Sequence, residues 1–314
     1  MKKSAAASVL QGTRSGTGHH PITGCLAASV TPLDQDGEHL DEAAFEPLTN
    51  FMAASGLDGF LVMGTTGEGV LLNLQERKRV IDLFVKAARA RLKVVVHAGA
   101  QTTRDTAAIA EHAAHSGADA VAVIGPPYFA LDDRSILDHF KTAGRACAPL
   151  PFYVYEFAAR SGYAISLAVI TDLRDQLPNF AGLKVSDTPW ERVEPYLLEG
   201  LSIFIGSESL IHRGMANGAV GAVSALASAL PELVLNAVKT GSQEATQRCA
   251  NARDRIQAFP FHSALKTILG QRGVALTNGV RAPLRRLSLE EQSAFYPIAE
   301  DLVRNAAEAA SSRS

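Results

Sequence analysis

Eight times along this chain, a short apolar run rich in β-branched and aromatic residues gives way to a longer stretch with helical spacing. That alternation predicts parallel strands joined by crossover helices, because parallel neighbours need a connection long enough to hold a helix. The predicted strands are Cys25 to Pro32, Gly59 to Gly64, Val94 to Ala98, Ala120 to Gly125, Phe152 to Glu156, Ala181 to Val185, Ser202 to Gly206 and Gly221 to Ala225. Eight units in series predict closure into a single (β/α)8 TIM barrel, an α/β fold. A doubly wound open sheet shares the alternation. Its dinucleotide turn is missing: Gly64-Thr65-Thr66-Gly67-Glu68-Gly69 has neither the G-x-G-x-x-G spacing nor the P-loop lysine, so the barrel is preferred.

The connecting segments carry their own signals. Asn73-Leu74-Gln75-Glu76 offers an N-cap and an early acid, and Val80, Ile81, Phe84 and Val85 supply a buried stripe. Further helices are predicted over Asp41 to Ala54, Thr103 to His115, Asp133 to Cys147, Leu167 to Gln176, Pro189 to Leu198 and Leu210 to Asn217. Beyond Pro231, three helical stretches (about 232–251, 254–270 and 288–312) exceed what one closing helix needs. They predict a C-terminal helical extension. The expected organisation is a disordered or accessory tail over 1–20, a barrel over 21–235 and the extension over 236–314.

Composition narrows the partners. A net charge of −2 and the lack of any Lys/Arg-rich run argue against nucleic acid. No apolar stretch is long enough to cross a bilayer, so no membrane association is expected. Cys25, Cys147 and Cys249 are odd in number and far apart, which suggests neither disulfides nor a zinc site and fits a cytoplasmic protein.

In a barrel, side chains at the C-terminal ends of strands are placed for chemistry. In Ala181-Gly182-Leu183-Lys184-Val185-Ser186, period-2 alternation puts Leu183 and Val185 on one face and Lys184 on the other. If the apolar pair meets the helices, Lys184 points into the barrel as a potential nucleophile for carbonyls. The plainer reading is a strand-end lysine that reaches solvent or pairs with an acid. Tyr155 ends the preceding strand, close enough to pass protons near Lys184, although strand tyrosines also serve simply as packing. Gly64-Thr65-Thr66-Gly67 either presents backbone N–H groups to a carboxylate or is an ordinary turn. His97, alone at the end of the third strand, either contacts substrate or is a satisfied core histidine.

These places coincide with a known pattern. Gly64-Thr65-Thr66-Gly67-Glu68 resembles the substrate-carboxylate loop of the dihydrodipicolinate synthase / N-acetylneuraminate lyase family. Tyr155 to Gly162 resembles its Y-N-x-P-x-R-T-G segment, and Gly182-Leu183-Lys184 its G-[IL]-K Schiff-base strand, all in the family's order. The resemblance runs from about Ile22 into the C-terminal helices. It implies a class I lyase or aldolase in which Lys184 forms an imine with pyruvate or another 2-oxo acid and Tyr155 relays protons. Thr65 and Thr66 would hold the carboxylate, Arg160 would bind a second substrate's carboxylate, and Val223 would contact substrate. It also implies a homo-oligomer, dimer or tetramer, with no metal or organic cofactor.

This chain departs from the synthases where they have a second tyrosine, in a P-Y-Y segment supplied across the dimer. Here the residues are Pro127-Tyr128-Phe129, and Phe129 cannot pass a proton. Glu156 stands in place of Asn and Ala158 in place of Pro, and Gly206-Ser207-Glu208-Ser209 differs from the synthases' G-D-D. A catabolic 2-oxo acid aldolase or dehydratase is therefore expected ahead of a synthase condensing pyruvate with aspartate semialdehyde. A non-catalytic binding protein and a metal-dependent hydrolase are the remaining alternatives. The first is disfavoured by Lys184 and Tyr155, the second by the lack of clustered His and Asp at strand ends.

Overall fold

The computed structural model describes residues 22–311; the expected tail over 1–20 lies outside them. Eight strands close into a parallel barrel: β1 (Gly24–Ala28), β2 (Gly59–Val62), β3 (Lys93–His97), β4 (Ala120–Ile124), β5 (Phe152–Glu156), β6 (Phe180–Val185), β7 (Ser202–Ile205) and β8 (Gly221–Ser224). Each pairs with its sequence neighbour, and β8 pairs with β1 through Gly24↔Gly221 and Leu26↔Val223. Closure needs glycine at this seam, since a Cβ on Gly221 would collide with the Gly24 carbonyl oxygen.

Strand alternation divides the core into two layers. Leu26, Leu61, Val95, Ala122, Tyr153, Phe204 and Val223 fill the barrel interior. Residues of opposite parity, such as Cys25, Phe60, Val96, Val121, Leu183 and Val185, pack outward against the helices. This is why Lys184 points inward: Leu183 and Val185 belong to the outer layer on either side of it.

The helices α1 (Phe45–Ala54), α2 (Leu74–Ala88), α3 (Thr103–Ser116), α4 (Asp133–Ala146), α5 (Ala158–Ser161), α6 (Leu167–Gln176) and α7 (Ile211–Ala216) follow β1, β2, β3, β4, β5, β5 and β7. Helix α2 opens with the expected cap. The Asn73 side chain accepts from Gln75 N and Glu76 N, while the Glu76 carboxylate accepts from Asn73 N at 2.9 Å, and Val80, Ile81 and Phe84 are buried.

Several expected elements differ. The helix predicted over Pro189 to Leu198 is instead two 3-10 turns, Trp190–Arg192 and Glu194–Tyr196. Pro195 has no N–H to continue a helical ladder and sits at the start of the second turn. The segment expected over Leu210 to Asn217 begins as a 3-10 turn, Glu208–Leu210, before α7. The short α5 was not anticipated, as one turn carries no readable periodicity. The three C-terminal stretches are four helices: α8 (Pro231–Thr240), α9 (Gln243–Gln257), α10 (Phe261–Gln271) and α11 (Leu289–Ser311). Gly241 in the left-handed region ends α8, Ser242 caps α9 through Ala245 N, and Pro260 precedes α10.

Candidate active site

The loop after β2 is held in a constrained shape. Met63 and Glu68 both adopt left-handed backbone, an uncommon state for residues with a side chain, and bracket Gly64-Thr65-Thr66-Gly67. Glu68 N donates to Thr65 O, and Thr31 Oγ1 to Gly67 O at 2.6 Å. From the C-terminal helices, His262 Nε2 bonds Thr65 O at 3.0 Å. Lys266 Nζ donates to Glu68 Oε1 at 2.7 Å and to Gly279 O at 2.6 Å, in an ion pair with no solvent exposure on either side chain. Arg281 N donates to the other Glu68 oxygen at 2.7 Å. The loop is thereby fixed to helix α10 and to the chain that follows it.

Across the barrel mouth, Tyr155 and Lys184 occupy paired positions on β5 and β6. Lys184 Nζ lies 3.9 Å from the centre of the Tyr155 ring, and the Tyr155 hydroxyl is 3.4 Å from Thr65 Oγ1. Both side chains are buried, Lys184 at 6% exposure, and among the described residues Lys184 forms no ion pair with a carboxylate. Burial pushes the Tyr155 phenol up. The Lys184 charge and hydrogen bonds with Thr65, Ser186 and Lys184 pull it down and win, leaving it below the ordinary tyrosine value. A phenol so placed can release and recover a proton beside the amine.

One cavity of about 680 Å³ brings together all six residues expected at the site: Thr65, Thr66, Tyr155, Arg160, Lys184 and Val223. Val223 packs in the interior layer beneath Lys184, and Thr66 is buried. Arg160, on α5, is exposed, and its guanidinium lies 5.7 Å from the Phe157 ring centre. The far wall holds residues the sequence reading did not single out. Arg253 of α9 stacks 4.0 Å over the Phe261 ring, donates to Gln257 Oε1 at 3.0 Å, and approaches Glu208 at 3.5 Å. Glu208 is buried, accepting from Ser224 Oγ at 2.7 Å and Leu226 N at 3.2 Å. In sequence the segment 206–209 reads only as a departure from the synthases, and no local signal pairs it with a helix so distant.

A second cavity, of about 530 Å³, shares Thr65, Tyr155, Arg160 and His262 with the first and extends past His97 and Arg77. His97 is a satisfied core residue: Nδ1 bonds Met63 O at 3.0 Å, and Ile124 N donates to Nε2 at 3.4 Å. Burial, with Arg77 and Lys184 nearby, pushes its pKa down to about 3, so the ring is neutral. Arg77 is itself buried and ties β3 in place through His97 O and Gly99 O. Phe129 lies away from the cavity at 70% exposure, beside Tyr128 at 88%. Among the described residues no group of three or more His, Cys, Asp or Glu is placed to hold a metal ion, and no helix is long and apolar enough to cross a membrane.

Residues 21–302 match the model of the dihydrodipicolinate synthetase family. The chain belongs to this family. A DapA-like lyase of uncharacterised activity from Halobacterium salinarum is 32% identical over 290 residues, covering 90% of this chain and 94% of the relative. The N-acetylneuraminate lyase of Rattus norvegicus is 30% identical over 245 residues, covering 76% of this chain and 77% of the relative. Among solved structures, the sialic acid aldolase of Ruminococcus gnavus superposes with a TM-score of 0.85 at 25% identity, covering 91% of this chain and 98% of the other. The family is one of lyases and aldolases, and the strand order and barrel closure are those of its (β/α)8 fold.

Proposed function

We propose that this member of the family is a Schiff-base lyase or aldolase acting on pyruvate or another 2-oxo acid, with Lys184 as the nucleophile. The observation that carries the reading is the buried Lys184 amine beside the Tyr155 phenol, within one cavity with the Thr65-Thr66 loop. The amine adds to the keto carbon, water leaves, and the protonated imine draws electrons from C3. The bond between C3 and C4 then breaks or forms through an enamine, so the imine is the electron sink and no metal or organic cofactor is required. Tyr155 moves the protons; Thr65 and Thr66 hold the carboxylate; Val223 packs under the keto acid. The barrel up to residue 235 serves as the catalytic unit, and the described helices beyond it as a cover that contributes Arg253 and His262 to the cavity wall.

One feature favours a catabolic aldolase or dehydratase over the synthase. Phe129 has no hydroxyl to complete a second-tyrosine relay. Arg160 favours the synthase as the second reading, because a guanidinium without a salt-bridge partner among the described residues suits an incoming carboxylate. The exposed Tyr128, Phe129 and Val70 support a homo-oligomer that covers them. Incubation with pyruvate plus a panel of aldehydes, aspartate semialdehyde included, against a Lys184→Ala control tests the assignment. Product from a non-semialdehyde partner, dependent on Lys184, is expected. Product from aspartate semialdehyde alone establishes the synthase, and full turnover by Lys184→Ala refutes both.

A further inference from the structure

The nine residues from 157 to 165 carry Arg160 into the cavity, and a pair of buried carboxyl groups holds both ends of this segment. At its start, Ala158 N donates to Asp187 Oδ2 at 2.9 Å. At its end, Ile165 N donates to Glu156 Oε2 at 3.2 Å. Glu156 is the last residue of β5, directly after Tyr155, and Asp187 follows β6 three residues after Lys184. Both are nearly fully buried.

The two carboxyls are neighbours at the ends of adjacent strands, where Glu156 pairs with Val185 two residues before Asp187, and the Asp187 charge acts on Glu156. Glu156 Oε1 finds no donor among the described residues. Among the described residues no cation neutralises the Glu156 carboxyl: the groups that face it there are Asp187, Tyr163 on the segment itself and Tyr196 from the turn after β6. Both tyrosine hydroxyls are spent on backbone carbonyls, Tyr163 on Pro126 and Tyr196 on Ile165. Two like charges so enclosed repel strongly, and a proton placed between them satisfies the orphaned oxygen and removes one charge.

We propose that the Glu156 carboxyl holds a proton directed at Asp187 and that the two side chains act as a clamp that positions the segment bearing Arg160 over the catalytic cavity. With the proton in place, each carboxyl keeps an oxygen for its amide, Ala158 or Ile165, and the segment is closed. Loss of the proton puts two negative charges in one buried space, and the segment opens to let water reach them. Burial, then the Asp187 charge and hydrogen bond, push Glu156 up to about 8, so opening sets in on the mildly alkaline side of neutrality. Both groups are positioning residues, acting through Arg160.

The inference rests on the proposed use of this cavity, but its test does not. Amide hydrogen exchange of residues 158–165, corrected for intrinsic exchange, is measured from about pH 7 to about pH 9.5 in the whole protein. In the wild type, protection is expected to fall about tenfold per pH unit once the Glu156 proton is lost. Glu156→Gln should hold protection flat across the range, since its amide donates to Asp187 permanently while its oxygen still accepts from Ile165. Asp187→Asn is the mirror variant, with the same expectation should Glu156→Gln fail to fold. Wild-type protection that does not change with pH, or an equal fall in the folded variants, overturns the clamp. Borohydride trapping of pyruvate on the same samples at neutral pH reports on Lys184 alone, so its failure counts against the Schiff-base reading and leaves the clamp to be judged by exchange.

Discussion

Tyr155 and Lys184 face each other across adjacent strands, in register, with the Lys184 amine 3.9 Å from the centre of the Tyr155 ring. The phenol is thus fixed beside the Lys184 amine by barrel pairing and needs no flexible loop to bring it there. Tyr155→Phe keeps the ring and removes only the hydroxyl. Turnover should fall about a hundredfold to ten-thousandfold, the usual worth of a positioned proton carrier. Steady-state kinetics at saturating 2-oxo acid checks this, and a drop of less than threefold would mean that protons travel by another route.

Thr66 is buried at the floor of the loop that brackets the cavity. Thr66→Val preserves shape and removes a hydroxyl. If that hydroxyl holds the carboxylate, pyruvate KM should rise about tenfold or more, in line with a hydrogen bond to a charged group. An unchanged KM would assign the carboxylate to backbone N–H groups alone.

The Lys266–Glu68 ion pair joins positions 198 residues apart with neither side chain exposed. Lys266→Met leaves Glu68 as an unpaired buried charge, and should cost about 3–5 kcal/mol of stability in urea unfolding. Adding Glu68→Gln removes that charge and should recover part of the loss. A single variant within 1 kcal/mol of wild type, on the same scale, would show that the pair contributes little.

The carboxyl of Glu156, raised from 4.5 to about 8 on folding, gives stability a defined pH dependence. Between those values the folded protein keeps a proton that the unfolded chain has released. The contribution is therefore fully present below about 4.5, lost as pH rises, and exhausted above about 8. The difference in melting temperature between Glu156→Gln and wild type should grow in the variant's favour across this window. Parallel curves would place the Glu156 titration elsewhere.

Much of this was legible in sequence because strand and helix periods are local. Val94-Val95-Val96 reads as a buried strand, and the alternation about Lys184 offers its inward direction as one of two readings, the other being a strand-end lysine that reaches solvent or an acid. Helix ends were harder. Gly241-Ser242 splits what reads as one stretch of 232–251, and Pro195 reduces another to 3-10 turns, because a stop signal inside an apolar pattern is weaker than the pattern. Least legible were the long-range partners. Lys266 sits amid Ala264, Leu265, Ile268 and Leu269, where a charge signals burial with a partner but does not name Glu68. Arg253, His262 and the carboxyl pair Glu156–Asp187 likewise acquire meaning only once folding brings separate elements to one mouth.

The most direct test of the account is intact-protein and peptide mass after incubation with pyruvate and borohydride, which reduces the imine to a stable secondary amine. A single pyruvyl adduct on Lys184, absent from a folded Lys184→Ala protein, is the predicted result. No adduct with any 2-oxo acid, or an adduct that persists in Lys184→Ala, would contradict the assignment of Lys184 as the nucleophile.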